Sequence, residues 1–453
     1  MNAGRQVRNV HQVRLCAGAS SRITGTRITM QRSARSRRCC AQISVGTKKQ
    51  KKYILGCACG CCCLLLSLSL LLFMVGWGLV SMTTCNQEQD PNWTPVQFPR
   101  YNSCGGCRGG YKTDEELSEC VTPCYNLTLV KSWERFNEEN GFKLVYFLSR
   151  PGPGDKPPVN ISAWWLPAPV KGGKLAPRVV VMHGLASNNN HCGVQMTCFH
   201  LRSLGYSCLT PSARDFGLSG ASTHPDIVTW GFDYHLDLLG AWDYAVEDPD
   251  GVLGGALPDE KVGLMGFSKG AYAAGIAMGL EPRISSAWLD SAPLHGLHGS
   301  IIGTIQPYVG RFLAPILALP VFWGAQFFSG NTVDSFDLLK LLSEQCPRQR
   351  RLMLSQSSID NVVPIEETEF GATVLSGMLN CYLVFGYTPP EYCNGARHHQ
   401  EMWEFPDDMR QELCRFWSRA FKEEERSCHL TSLPSFQIWS PYKDLPPGSP
   451  ELV

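Results

Sequence analysis

Apolar positions fall into three patterns along the chain. From Ile54 to Met82 they run almost unbroken, densest from Leu64 to Val80, and no charged residue occurs between Tyr53 and Gln87. A spanning helix needs about 20 such residues, and the apolar region of a cleaved signal peptide is only about 7–15 long. The pattern therefore predicts a transmembrane signal anchor over 53–82. From about residue 129 the texture changes to short apolar runs bounded by Gly and Pro. Strands are expected at 142–148, 160–166, 178–182, 206–210, 262–265, 287–290, 352–354 and 382–385, the first two as an antiparallel edge. Between them, 192–204, 232–246 and 271–280 suit helices, and 406–421 suits a closing helix. Residues Tyr234, Leu238, Trp242 and Ala245 share one helical face. Strands alternating with helices predict an α/β fold, with a mostly parallel central sheet and helices on both faces.

The third pattern interrupts this alternation. Residues 293–345 include Ile301 to Ile305 and the run from Phe312 to Trp323, and read as an inserted apolar helical cap. The globular region is thus 129–426, and 427–453 is a Pro-rich tail expected to be loosely attached.

Charge sharpens the picture at the N-terminus. The chain has 453 residues and a formal net charge of +1, a balance that excludes a strongly basic nucleic-acid binder. The balance is a cancellation: residues 1–52 carry 13 Lys and Arg and no acid, so the remainder is net −12. A basic block ending at Lys51 and Lys52, abutting a long apolar span, puts the N-terminal tail in the cytosol and the bulk of the chain in a lumen or outside the cell. The Arg-rich, acid-free start also fits an organelle-targeting peptide. Three sequons, at Asn92, Asn126 and Asn160, follow the span and agree with a lumenal location.

The 21 cysteines form groups. Cys57, Cys59, Cys61, Cys62 and Cys63 crowd the cytosolic end of the span, where S-palmitoylation acts, although Cys is also tolerated in helices as a small apolar residue. A Cys-rich segment, 83–128, holds Cys104, Cys107, Cys120 and Cys124. Their spacing allows a zinc site, but an oxidising compartment favours disulfides.

The sharpest chemical signal is Gly266-Phe267-Ser268-Lys269-Gly270. It follows a strand and precedes a helix, the context a nucleophile elbow requires. The turn forces Ser268 out of the sheet, and side chains at positions 266 and 270 would collide with the neighbouring strand and helix. The N–H of Lys269 opens the helix and is an oxyanion donor. His183-Gly184-Leu185 follows an earlier strand and offers the N–H of Leu185 as a second donor, with His183 itself in a structural role. A hydroxyl is a weak nucleophile near neutral pH and needs a base and an orienting acid. Asp360 lies on the loop after strand 352–354, with Asp290 as its rival. His398 and His399 lie after strand 382–385, just before the closing helix.

With these motifs in order, residues 130–423 resemble the α/β-hydrolase superfamily, in its esterase-like branch around serine aminopeptidases and acylglycerol lipases. Met182-His-Gly-Leu resembles the oxyanion loop. Ser212-Ala-Arg-Asp215-Phe-Gly-Leu-Ser219-Gly resembles a structural loop of that family, with Ser212, Asp215 and Phe216 where the family has Asp, Gly and His. Asp290-Ser-Ala resembles a turn whose Asp is usually not the triad acid. Gly395-Ala-Arg-His398 resembles a segment whose His is catalytic, which favours His398 over His399.

The resemblance implies an α/β-hydrolase fold and a Ser268–His398–Asp360 triad that needs no metal or cofactor. The expected function is a single-pass membrane-anchored serine hydrolase acting on an ester, thioester or amide, with an acyl-lipid substrate favoured by the anchor and the apolar cap. A serine peptidase of the same fold, or a non-catalytic receptor or adhesion protein on a hydrolase scaffold, are the alternatives.

Overall fold

The structure is a computed structural model that describes residues 48–81, most of 143–423, residue 428 and residues 437–439. The chain divides into two units, Met1–Cys61 and Cys62–Val453. The Cys-rich segment, with Cys104, Cys107, Cys120 and Cys124, lies outside the described residues, as do Asn92 and Asn126. Asn160 is exposed at the start of a strand.

Nine strands form one sheet: β1 (Lys143–Leu148), β2 (Asn160–Leu166), β3 (Arg178–Met182), β4 (Ser207–Pro211), β5 (Val262–Phe267), β6 (Ser286–Asp290), β7 (Arg351–Ser355), β8 (Tyr382–Tyr387) and β9 (Gln437–Trp439), in the spatial order β1-β2-β4-β3-β5-β6-β7-β8-β9. The six strands from β4 to β8 are parallel. The first two pair antiparallel, Lys143 opposite Trp165 and Leu148 opposite Asn160, and β2 pairs antiparallel with β4. β3 and β5 are buried along their whole length, as expected for strands covered on both faces.

Successive side chains leave a strand on opposite faces, so one apolar run feeds two cores. Val180, Met182 and Leu264 join the helices α3 (Tyr234–Glu247), α4 (Lys269–Leu280), α6 (Leu338–Glu344) and α7 (Ile365–Ser376). Val179, Val181, Met265 and Phe267 join α2 (Cys192–Ser203) and α8 (Pro406–Ala420) on the other side. Helix α4 is buried from Lys269 to Gly279, and its small residues let it sit against the sheet and α6.

The structure adds to the sequence reading in three places. Residues 437–439 fall in the tail expected to be loose, yet they form β9, antiparallel to β8. Three residues are too short for a periodic signal, and their strand exists only because β8 offers an open edge. Among the described residues, two disulfides join Cys198 to Cys208 and Cys414 to Cys428; in sequence these cysteines are remote from the clustered ones. The expected single spanning helix is α1 (Lys48–Val80), but two helices among the described residues are long and apolar enough to cross a membrane: Cys62–Val80, and α5 (Gly296–Phe328) in the cap. Pro307, Pro315 and Pro320 lie inside α5. The helical path continues through them and bends at Gly310, whose φ is 80°.

Candidate active site

The elbow is built from β5, one strained residue and α4. Ser268 has φ 53° and ψ −120°, a region that a side chain normally avoids and that costs energy. The strain is held by the backbone on both sides. The Ser268 N–H donates to the carbonyl of Asp290 at 2.8 Å, and its carbonyl accepts from the N–H of Tyr272 at 3.0 Å. A Cβ on Gly266 would collide with the Gly270 carbonyl, and one on Gly270 with the carbonyls of His183 and Met182. Both glycines are therefore required by close approach, as the motif implied.

Ser268 and His398 line one cavity of about 480 Å³, together with Leu185. Behind it, Nδ1 of His398 lies 2.7 Å from Oδ2 of Asp360. The other carboxylate oxygen of Asp360 accepts the N–H groups of Val362 and Val363 at 2.8 and 2.9 Å, and Gln356 donates its side-chain N–H to Oδ2 at 2.6 Å. These bonds fix the carboxylate and aim it at the imidazole. Leu185 and Lys269, the expected oxyanion donors, lie in the loop after β3 and at the start of α4, and Leu185 lines the cavity with Ser268. His399 lies outside the described residues.

Asp290, the rival acid, is buried in a different network. Its carboxylate accepts from Ser355 Oγ at 2.8 Å and from Ser291 Oγ at 3.1 Å, while the indole of Trp288 donates to Ser355 Oγ at 2.7 Å. Burial pushes its pKa up to about 6, against the pull of those hydroxyls and of His398.

His183 has the structural role expected of it. Its Nε2 accepts the N–H of Ala213 at 3.0 Å, so the ring proton is on Nδ1, which donates to the Gly184 carbonyl at 2.8 Å. The ring thus ties the loop after β3 to the loop 212–220. That second loop is held by Arg214, whose guanidinium donates to Asp237 at 2.7 and 3.0 Å.

One feature next to the nucleophile was missed by sequence reasoning. The side chain of Lys269 is fully buried, with its ammonium 3.8 Å from the Tyr234 ring centroid and 4.4 Å from that of Phe216. Its Nζ has no hydrogen-bond partner among the described residues. Burial lowers its pKa to about 7, opposed by the charges of Asp237 and Asp215. The available signal was Phe216, which stands where the family pattern has His and supplies half of this aromatic enclosure.

A second cavity of about 560 Å³ lies beside the cap, lined by His295, His298 and Glu367 among others. It contains none of the three expected catalytic residues.

No protein-family model matches the sequence, and no curated protein does. Solved structures do match. The Pyrococcus furiosus esterase Pf2001 is 20% identical with a TM-score of 0.43, covering 61% of this chain and 92% of that one. Est1E from Butyrivibrio proteoclasticus is 14% identical with a TM-score of 0.40, over 62% of this chain and 100% of that one. The Pyrococcus horikoshii acylaminoacyl peptidase is 15% identical with a TM-score of 0.43, over 65% of this chain and 44% of that one.

Proposed function

We propose that the protein is a membrane-anchored serine hydrolase that cleaves acyl esters or thioesters through Ser268, His398 and Asp360. One observation carries this reading: a serine on a strained elbow shares a cavity with a histidine whose other ring nitrogen meets a buried carboxylate at 2.7 Å. With Nδ1–H donated to Asp360, Nε2 is the basic nitrogen. Ser268 Oγ attacks the acyl carbonyl as His398 takes its proton. The N–H groups of Leu185 and Lys269 receive the developing oxyanion, helped by the positive end of α4. The leaving alcohol or thiol takes the proton back from His398. Water then attacks the acyl-enzyme with His398 again as base, releasing the acid and restoring Ser268.

The lining of the cavity favours an acyl chain over a peptide. Among the described residues no Lys, Arg, Asp or Glu lines it, and Ser268, Ser300, Thr304 and His398 are its polar side chains. A peptide backbone would need paired donors and acceptors that such a surface lacks. For location, the basic tail of 1–52 and the apolar span support a cytosolic N-terminus with the catalytic domain across the membrane. The two disulfides support an oxidising compartment.

The test is covalent labelling by a fluorophosphonate. The full-length protein should label, and Ser268→Ala should neither label nor hydrolyse short acyl esters. An unlabelled wild-type protein, or a Ser268→Ala variant of undiminished activity, would refute the assignment.

A further inference from the structure

The cavity holding Ser268 and His398 has a wall that the bond-breaking chemistry does not require. Leu72, Val75 and Leu79 line it, and all three belong to α1. Their spacing of three and four puts them on one helical face.

That face is held against the cap at backbone distance. A side chain at Gly76 would collide with the Val321 carbonyl and the Ala325 amide, and one at Gly324 with the carbonyl of Phe73. Ala318 and Ala325 continue the seam, with Val80 packed into the same cluster. Small residues at such a seam are how helices pack where no hydrophobic effect drives them together. The Phe73 ring lies 5.7 Å from Phe327 and 5.6 Å from Phe328. At the helix end, the Val228 N–H donates to the Val80 carbonyl at 2.9 Å. This satisfies a terminal carbonyl and fastens α1 to the catalytic domain.

Away from the seam both helices turn large apolar side chains outward: Leu71, Met74 and Trp77 on α1, and Phe312, Ile316 and Trp323 on α5. A water-facing surface rarely carries so large a patch, whereas hydrocarbon suits it. Val75 belongs to both surfaces. It lines the cavity and is still 47% exposed, so the cavity meets the outer apolar surface at this residue.

We infer that α1 is a wall of the substrate site as well as an anchor, and that the cavity opens sideways into the bilayer. Its occupant is then the long acyl chain of a lipid ester that is still held in the membrane, with the headgroup left outside the uncharged cavity. The inference rests on the serine hydrolase reading above.

Two fluorophosphonates test it on the full-length protein in phosphatidylcholine vesicles: a hexadecyl probe dissolved in the bilayer and an ethyl probe in solution. The readout is the ratio of the two labelling rates. Val75→Trp fills the mouth, and should lower the long-to-short ratio about tenfold, the effect of excluding about two methylenes from an apolar site. Met74→Trp, equally exposed at 47% but outside the cavity lining, should leave both rates unchanged. A Val75→Trp ratio within about twofold of wild type overturns the inference, as does an equal fall in both rates or an equal effect of Met74→Trp. If the wild-type protein reacts with neither probe, the hydrolase reading itself fails. Labelling of wild type with an unaltered ratio in Val75→Trp defeats only the role of α1.

Discussion

The ammonium of Lys269 lies 3.8 Å from the ring centroid of Tyr234, while the backbone N–H of the same lysine is a proposed oxyanion donor beside Ser268. One residue thus combines a backbone N–H beside Ser268 with a fully buried side chain.

This burial predicts a specific pH dependence of stability. Lys269 has a folded pKa of about 7, below its ordinary value, so above pH 7 the unfolded chain binds more protons than the folded one. Stability contributed at this site therefore rises as pH increases from about 7 to 10, and is flat below. The rise should be on the order of 4–5 kcal/mol and should disappear in Lys269→Met. Denaturant titrations at several pH values check it.

The choice of acid is testable by a pair of isosteric changes. Asp360→Asn removes the acceptor for His398 Nδ1–H and should lower kcat/KM on a short ester by about 10³–10⁴-fold. Asp290→Asn keeps that bond and should cost less than about tenfold. Asp290 has a folded pKa raised to about 6. Its contribution to stability is therefore fully present below about pH 4 and is lost as pH rises through 6. Asp290→Asn should abolish that part of the stability profile.

Close backbone approach makes Gly270 intolerant. Gly270→Ala drives a methyl into the His183 carbonyl and should cost about 3 kcal/mol or more, which thermal unfolding would register. Gly251→Ala is the contrast. Its φ is +72° with nothing within 4 Å of the added carbon, so the cost should be only the left-handed strain of about 1–2 kcal/mol.

The two disulfides should support the fold outside reducing compartments. Cys198 and Cys208 join α2 to β4 across 10 residues, and Cys414 and Cys428 close a span of 14. Loops of this size give about 2–4 kcal/mol each. A Cys198→Ala/Cys208→Ala double variant should lose that stability relative to the oxidised protein, and the difference should vanish when both are melted with a strong reductant.

Much of the site was legible because its chemistry is local. Gly266, Ser268 and Gly270 lie within one turn, and the collision that requires Gly266 arises inside that turn, whereas the one that requires Gly270 comes from the end of β3. The order of Ser268, Asp360 and His398 followed from strands whose buried apolar runs were plain to read. The aromatic enclosure of Lys269 was less accessible, since Phe216 and Tyr234 reach it from separate loops and helices. The strand at 437–439 was invisible for a related reason: three residues carry no period, and only the open edge of β8 makes them a strand.

The sequence by itself determined the long apolar span, the basic tail before it, the alternating strands and helices, and a serine set at an elbow. Each is a property of neighbouring residues: length of an apolar run, charge asymmetry, periodicity, and steric demand in a tight turn. Only the tertiary structure decided that His398 meets Asp360, that α1 packs Gly76 against the cap at Val321, and that Leu72, Val75 and Leu79 line the cavity of Ser268. Those relationships depend on how remote surfaces fit once the sheet has formed, and shape complementarity between distant segments leaves no pattern in either segment alone.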